Sequence, residues 1–70
     1  MSSNVATISE LTASFNAAVL NPENLNEDGS INWNFVDADI HMDASEADKV
    51  VPEDWYGTFN DLADQLEANQ

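Results

Sequence analysis

Ser30-Ile31-Asn32-Trp33-Asn34-Phe35-Val36-Asp37-Ala38-Asp39-Ile40-His41-Met42-Asp43 is the stretch on which the fold turns. Ile31, Trp33 and Phe35 alternate with polar neighbours. After one slip, Val36, Ala38, Ile40 and Met42 alternate with Asp37, Asp39, His41 and Asp43. Alternation at period two predicts a strand. A one-residue slip turns an apolar set to the wrong face, and a bulge at Phe35-Val36 restores it by setting two residues against one on the partner strand. The opposite face then carries Asn32, Asn34, Asp37, Asp39, His41 and Asp43, polar throughout and acidic over its second half.

Upstream, Asp28-Gly29 invites a hairpin turn. A two-residue turn splits the nearby apolar side chains between faces. A three-residue loop, Glu27-Asp28-Gly29 with Gly29 left-handed, pairs Leu25 with Ile31 and keeps them together, and is preferred. Before the hairpin, Ile8, Leu11, Phe15, Ala18 and Val19 recur at helical spacing, which predicts a helix from about Ile8 to Leu20. Thr7 and Glu10 fit a capping box at its start, and Asn21-Pro22 a stop.

Downstream, Ala44 to Lys49 is a polar connection, and Val50-Val51 suits a short strand or a hydrophobic staple. Pro52-Glu53-Asp54 suits the first turn of a second helix, with proline early and carboxylates near the positive end of the dipole. Trp55, Phe59, Leu62 and Leu66 form its apolar stripe, and Glu53, Asp54, Asp61, Asp64 and Glu67 fall outside it. Gly57 suits close packing beneath an aromatic ring. The expected fold is therefore α+β: an N-terminal helix, a β-hairpin with a long bulged strand, and a C-terminal helix packed on the sheet. A two-stranded sheet is barely stable alone, so either the helices cover it or its free edge pairs with a second copy in a homodimer.

Seventy residues make one small acidic domain, 1–70, with a thin core. Hydrophobic residues supply 43% of the chain, with two Trp, three Phe and one Tyr, too many for a disordered acidic tail. Fourteen Asp and Glu face one cation, Lys49, giving a formal charge of −13 that internal ion pairs cannot neutralise. Without arginine there is no phosphate clamp, so direct nucleic-acid binding by the usual basic patch is excluded and anionic membrane surfaces are disfavoured. The absence of cysteine excludes disulfides, thiolate nucleophiles and sulfur-ligated zinc. The start, Met1 to Ala6, has no basic side chain, and the longest apolar run is Ala17 to Leu20. The chain is accordingly expected in the cytoplasm.

Acidic density is the strongest functional feature. Asp37, Asp39, Asp43, Glu46, Asp48, Glu53 and Asp54 supply half of the carboxylates. On a strand, alternate residues stand about 6.6 Å apart, a row of negative charge comparable to a nucleic-acid backbone. The expected partner-binding residues are these seven with Asp61, Asp64 and Tyr56, the last an aromatic anchor offset from the apolar stripe. The expected function is an interaction protein that binds the basic surface of a nucleic-acid-binding protein, as a DNA or RNA mimic inhibitor of phage or mobile-element type. The alternative is a haloadapted or otherwise acidic small regulatory subunit without mimicry.

A divalent-cation module is third. Asn24-x-Asn26-x-Asp28-Gly29-Ser30-Ile31-Asn32 has the alternating oxygens, glycine and following hydrophobe of a calcium loop, but Phe35 stands where a bidentate Glu is required. Asp39-x-His41-x-Asp43 sets three potential ligands on one strand face, too few to close a shell unaided. No nucleophile, base and orienter set and no phosphate loop are present, so neither catalysis nor a cofactor is expected.

Overall fold

A computed structural model describes residues 4–69; the polar start Met1-Ser2-Ser3 lies outside them. Among the described residues three helices carry the fold, α1 (Ile8–Leu20), α2 (Trp33–Glu46) and α3 (Trp55–Ala68), with a 3-10 turn over Pro22–Asn24. Among the described residues, extended pairing is limited to two isolated bridges, Leu25 with Ile31 (antiparallel) and Val5 with Val50 (parallel). The expected α+β fold with its bulged hairpin is thus corrected to an all-helical one.

The correction centres on α2. Asn32 caps it, its side-chain oxygen accepting from the backbone N–H of Asn34 at 3.1 Å and of Phe35 at 3.4 Å. From there the buried positions Val36, Ile40 and Ala44, with half-buried Trp33 ahead of them, follow at spacings of three and four. The slip at Phe35-Val36 needed no bulge, because a period of 3.6 shifts phase against a period of two within a few residues. Trp, Phe, Val and Ile favour strands intrinsically, but packing of one face against α1 overrides that preference. The hairpin loop itself is present locally: Gly29 is left-handed at φ 90°, and Leu25 lies opposite Ile31. Asn26 N–H donates to the Ser30 carbonyl at 2.7 Å, which closes the loop. With the sheet gone, the free edge that would have paired with a second copy is gone too.

α1 has the expected limits. Its capping box is complete: Glu10 N–H donates to Thr7 Oγ1 and Thr7 N–H to Glu10 Oε1, each at 3.1 Å. At its end Asn21 accepts from Glu23 N–H and opens the 3-10 turn. α2 ends on Asp48, left-handed at φ 59°, with Lys49 N–H returning to the Ala44 carbonyl at 2.8 Å. Pro52 to Asp54 form a turn ahead of α3 instead of its first helical residues. Val50 contributes one bridge, and Val51 packs against the core.

α1 packs against both α2 and α3. Phe15 sits at the centre, 1% exposed. It stacks on Trp33 at 5.9 Å and meets Phe59 and Trp55 edge-on at 5.4 and 6.4 Å. Leu11, Val36, Ile40 and Trp55 complete the fully enclosed set. Trp55 and Phe59 are buried as the α3 stripe requires, and Leu62 and Leu66 pack partly against the core. Gly57 lies in the open, with nothing within 4 Å of where a Cβ would stand, so the expected close packing under a ring is not its role. No helix among the described residues is long and apolar enough to cross a membrane.

Candidate functional site

The helical form of α2 redistributes the carboxylates expected on one strand face. At about 100° per residue, Asp37 turns toward α3, while Asp39 and Asp43 turn toward α1. The row at strand pitch does not exist. In its place Asp39, Asp43 and Glu46, spaced by four and three, line one flank of α2 over about 10 Å of helix. On α3, Asp61, Asp64 and Glu67 recur at spacings of three on the side away from Trp55 and Phe59. Glu53 and Asp54 are exposed in the preceding turn, and Asp48 is exposed at the end of α2.

All carboxylates except Asp37 and Asp39 are exposed. Those two are half-buried, Asp39 hydrogen-bonded and Asp37 with one enclosed oxygen that has no hydrogen-bond partner. Asp39 Oδ2 accepts from Asn24 Nδ2 at 2.7 Å, and the same amide group donates to the Ala18 carbonyl at 2.9 Å. Asn24, 5% exposed, thereby ties the 3-10 turn to both α1 and α2. Asp37 Oδ1 is enclosed, with His41 Nε2 at 3.5 Å. His41 Nε2 lies 2.6 Å from the Tyr56 hydroxyl, so Asp37, His41 and Tyr56 form a polar link between α2 and α3. Burial, and then the Asp37 charge, push the Tyr56 hydroxyl above its ordinary pKa. Asp37, Asp39 and Tyr56 therefore have structural work within the expected partner-binding set, whereas Asp43, Glu46, Asp48, Glu53, Asp54, Asp61 and Asp64 face solvent.

The one cation is also engaged. Lys49 Nζ donates to Glu10 Oε2, joining the start of α1 to the segment after α2. That bond, reinforced by Thr7, lowers the Glu10 carboxyl from an ordinary 4.5 to about 2. No lysine or arginine is left to offset the remaining carboxylates.

Between α1 and α2 runs a shallow groove of two adjoining hollows, about 300 and 250 Å³, which share Ser14 and Asp43. Ala13, Ser14 and Ala17 line it from α1, and Asp39 and Asp43 from α2. Lys49, paired with Glu10, lines the larger hollow, so small side chains beneath free carboxylates, suited to the aliphatic stem and charged head of an incoming lysine or arginine, are confined to the smaller one at Ser14, Ala17, Asp39 and Asp43. Sequence reasoning did not single out this groove. Its signal lies in the small residues Ala13, Ser14, Ala17 and Ala18, which leave α1 low where α2 crosses it.

The cation sites fare differently. His41 points to the side of α2 opposite Asp39 and Asp43, and no group of three or more metal-ligating side chains occurs among the described residues. In the Asp-Gly loop, Asp28 Oδ1 accepts from Ser30 N–H at 2.9 Å and Ser30 Oγ at 2.6 Å, bonds that hold its carboxyl below the ordinary range. Asn24, the first position of the calcium-like pattern, is turned into the protein and committed to Ala18 and Asp39; the segment leaving the loop is helix, as a calcium loop has, but it places Phe35 at the twelfth position. No protein-family model matches the chain, and neither a curated protein nor a solved structure matches it.

Proposed function

We propose that this protein binds the basic surface of a nucleic-acid-binding protein, taking the place of the nucleic acid and so inhibiting or modulating that partner in the cytoplasm. The observation that carries this reading is the unopposed surface charge. All but two of fourteen carboxylates are exposed, and the single lysine is tied to Glu10. Proteins that bind DNA draw much of their affinity from Lys and Arg meeting phosphates. A folded surface with carboxylate rows on α2 and α3 offers those cations an alternative anion whose positions are fixed in advance. A small acidic protein of this kind suits a phage or mobile-element product acting on host machinery.

The test is capture from a cell extract on immobilised protein at two ionic strengths. Partners should bind at low salt and elute steeply as salt rises. The variant with Asp43→Asn, Glu46→Gln, Asp61→Asn and Asp64→Asn should capture far less while remaining helical. Equal capture by that variant refutes the assignment. Unfolding of the wild type in dilute buffer, with recovery in molar salt, would favour a haloadapted regulatory subunit instead.

A further inference from the structure

The helical form of α2 leaves apolar side chains in water. Phe35 and Met42 are 51% and 58% exposed, whereas Val36 and Ile40, their neighbours in sequence, are completely buried. Phe35, Ala38 and Met42 follow at spacings of three and four, one stripe along the outer pole of the helix, away from the face that packs on α1. Alanine would serve a solvated helix better than either, and glutamate or lysine better than phenylalanine. The acidic flank described above lies beside this stripe: Asp39, Asp43 and Glu46 are within about a quarter turn of it.

We propose that Phe35 and Met42 are the apolar anchor by which α2 docks a partner protein segment that has an apolar centre rimmed by Lys and Arg. This rests on the proposed binding to a basic protein and specifies its contact surface. Charge selects the occupant. A second copy would set the same stripe and flank against themselves, at −13 per chain, so self-docking is opposed. A partner with basic residues around an apolar patch meets Asp43 and Glu46 with its cations while burying Phe35 and Met42. Exposed aromatic and methionine side chains ringed by polar groups are the usual composition of such anchors. The two components act differently: the carboxylates steer and select, and the anchor holds once water is excluded.

The test uses two synthetic cationic peptides of equal length: poly-L-lysine, and an amphipathic helical peptide with leucines along one face and lysines along the other. Each is titrated against wild type, the double variant Phe35→Ala/Met42→Ala, and Leu20→Ala. The last removes the most exposed large apolar side chain among the described residues, which lies off the stripe, at 82% exposure. Wild type should bind the amphipathic peptide at least about tenfold more tightly than poly-L-lysine. The double variant should lose that advantage but keep its affinity for poly-L-lysine, and Leu20→Ala should behave as wild type. Alanine favours helix at both exposed positions, and circular dichroism of each variant verifies the fold. Equal binding of the amphipathic peptide by wild type and double variant overturns the anchor and leaves the electrostatic reading standing. An equal loss in Leu20→Ala overturns it as general stickiness. A wild-type dimer dissolved by the double variant assigns the stripe to a second copy and likewise overturns it. Failure of both peptides to bind at low salt refutes the underlying reading as well.

Discussion

Replacing Ile40 and Met42 separately discriminates the helix from the alternation that the sequence displays. In a strand the two side chains share a face and would be buried alike. On α2 they point about 160° apart, with Ile40 fully enclosed and Met42 58% exposed. Truncating Ile40 to Val removes one methylene from a closed core shared with Leu11, Phe15 and Val36, at a cost of about 0.5–1.5 kcal/mol. For a domain of this size a loss of about 1 kcal/mol lowers Tm by about 4–8 °C. Truncating Met42 to Ala takes away side chain that is largely in water and improves helix propensity slightly, so the change should stay within about 0.5 kcal/mol. Urea unfolding followed by far-UV circular dichroism, in buffer with enough salt to screen the net charge, measures both. Met42→Ala destabilising as much as Ile40→Val, with the slope against urea unchanged, would refute the helical assignment of this segment.

Further outcomes follow from the same packing and charges. Asn32→Ala removes the N-cap of α2 and should cost about 1 kcal/mol by thermal melting; no change would mean the helix starts elsewhere. Gly57→Ala, an exposed helical glycine without positive φ or near neighbours, should raise stability by about 1 kcal/mol, and a loss would reveal a packing role. The Glu10 carboxyl is lower in the folded chain than in the unfolded one, so its contribution is intact above about 4.5 and disappears as pH falls toward 2. Tm should therefore decline as pH falls from about 4.5 toward 2, with a smaller decline in Glu10→Gln; equal declines in the two proteins would contradict the pairing with Lys49.

α1 was legible because it has one period, a capping box and an Asn-Pro stop that agree with one another. The stripe of α3 was legible for the same reason. α2 misled because Trp33, Phe35, Val36, Ala38, Ile40 and Met42 satisfy two periods at once. Its outer apolar residues fill the gaps that would have exposed a helical pattern. The decisive sign was the phase slip at Phe35-Val36, which a helix explains without an extra device. Acidity as a surface property was readable from charge count, but its layout was not. Asp39 is drawn inward by Asn24, a contact set by tertiary placement, and Asp37 lies half-buried beside the His41–Tyr56 contact that joins α2 to α3. The groove over Ala13, Ser14 and Ala17 likewise exists only once α2 lies across α1.

Competition with duplex DNA tests the proposed mimicry most directly. Immobilised protein is loaded from extract at low salt and then challenged with increasing DNA at constant ionic strength. Occupation of a nucleic-acid site requires that the captured proteins leave as DNA is added, and that the free protein in turn displaces DNA from them. A captured partner that binds DNA and this protein simultaneously, with neither weakening the other, would contradict it.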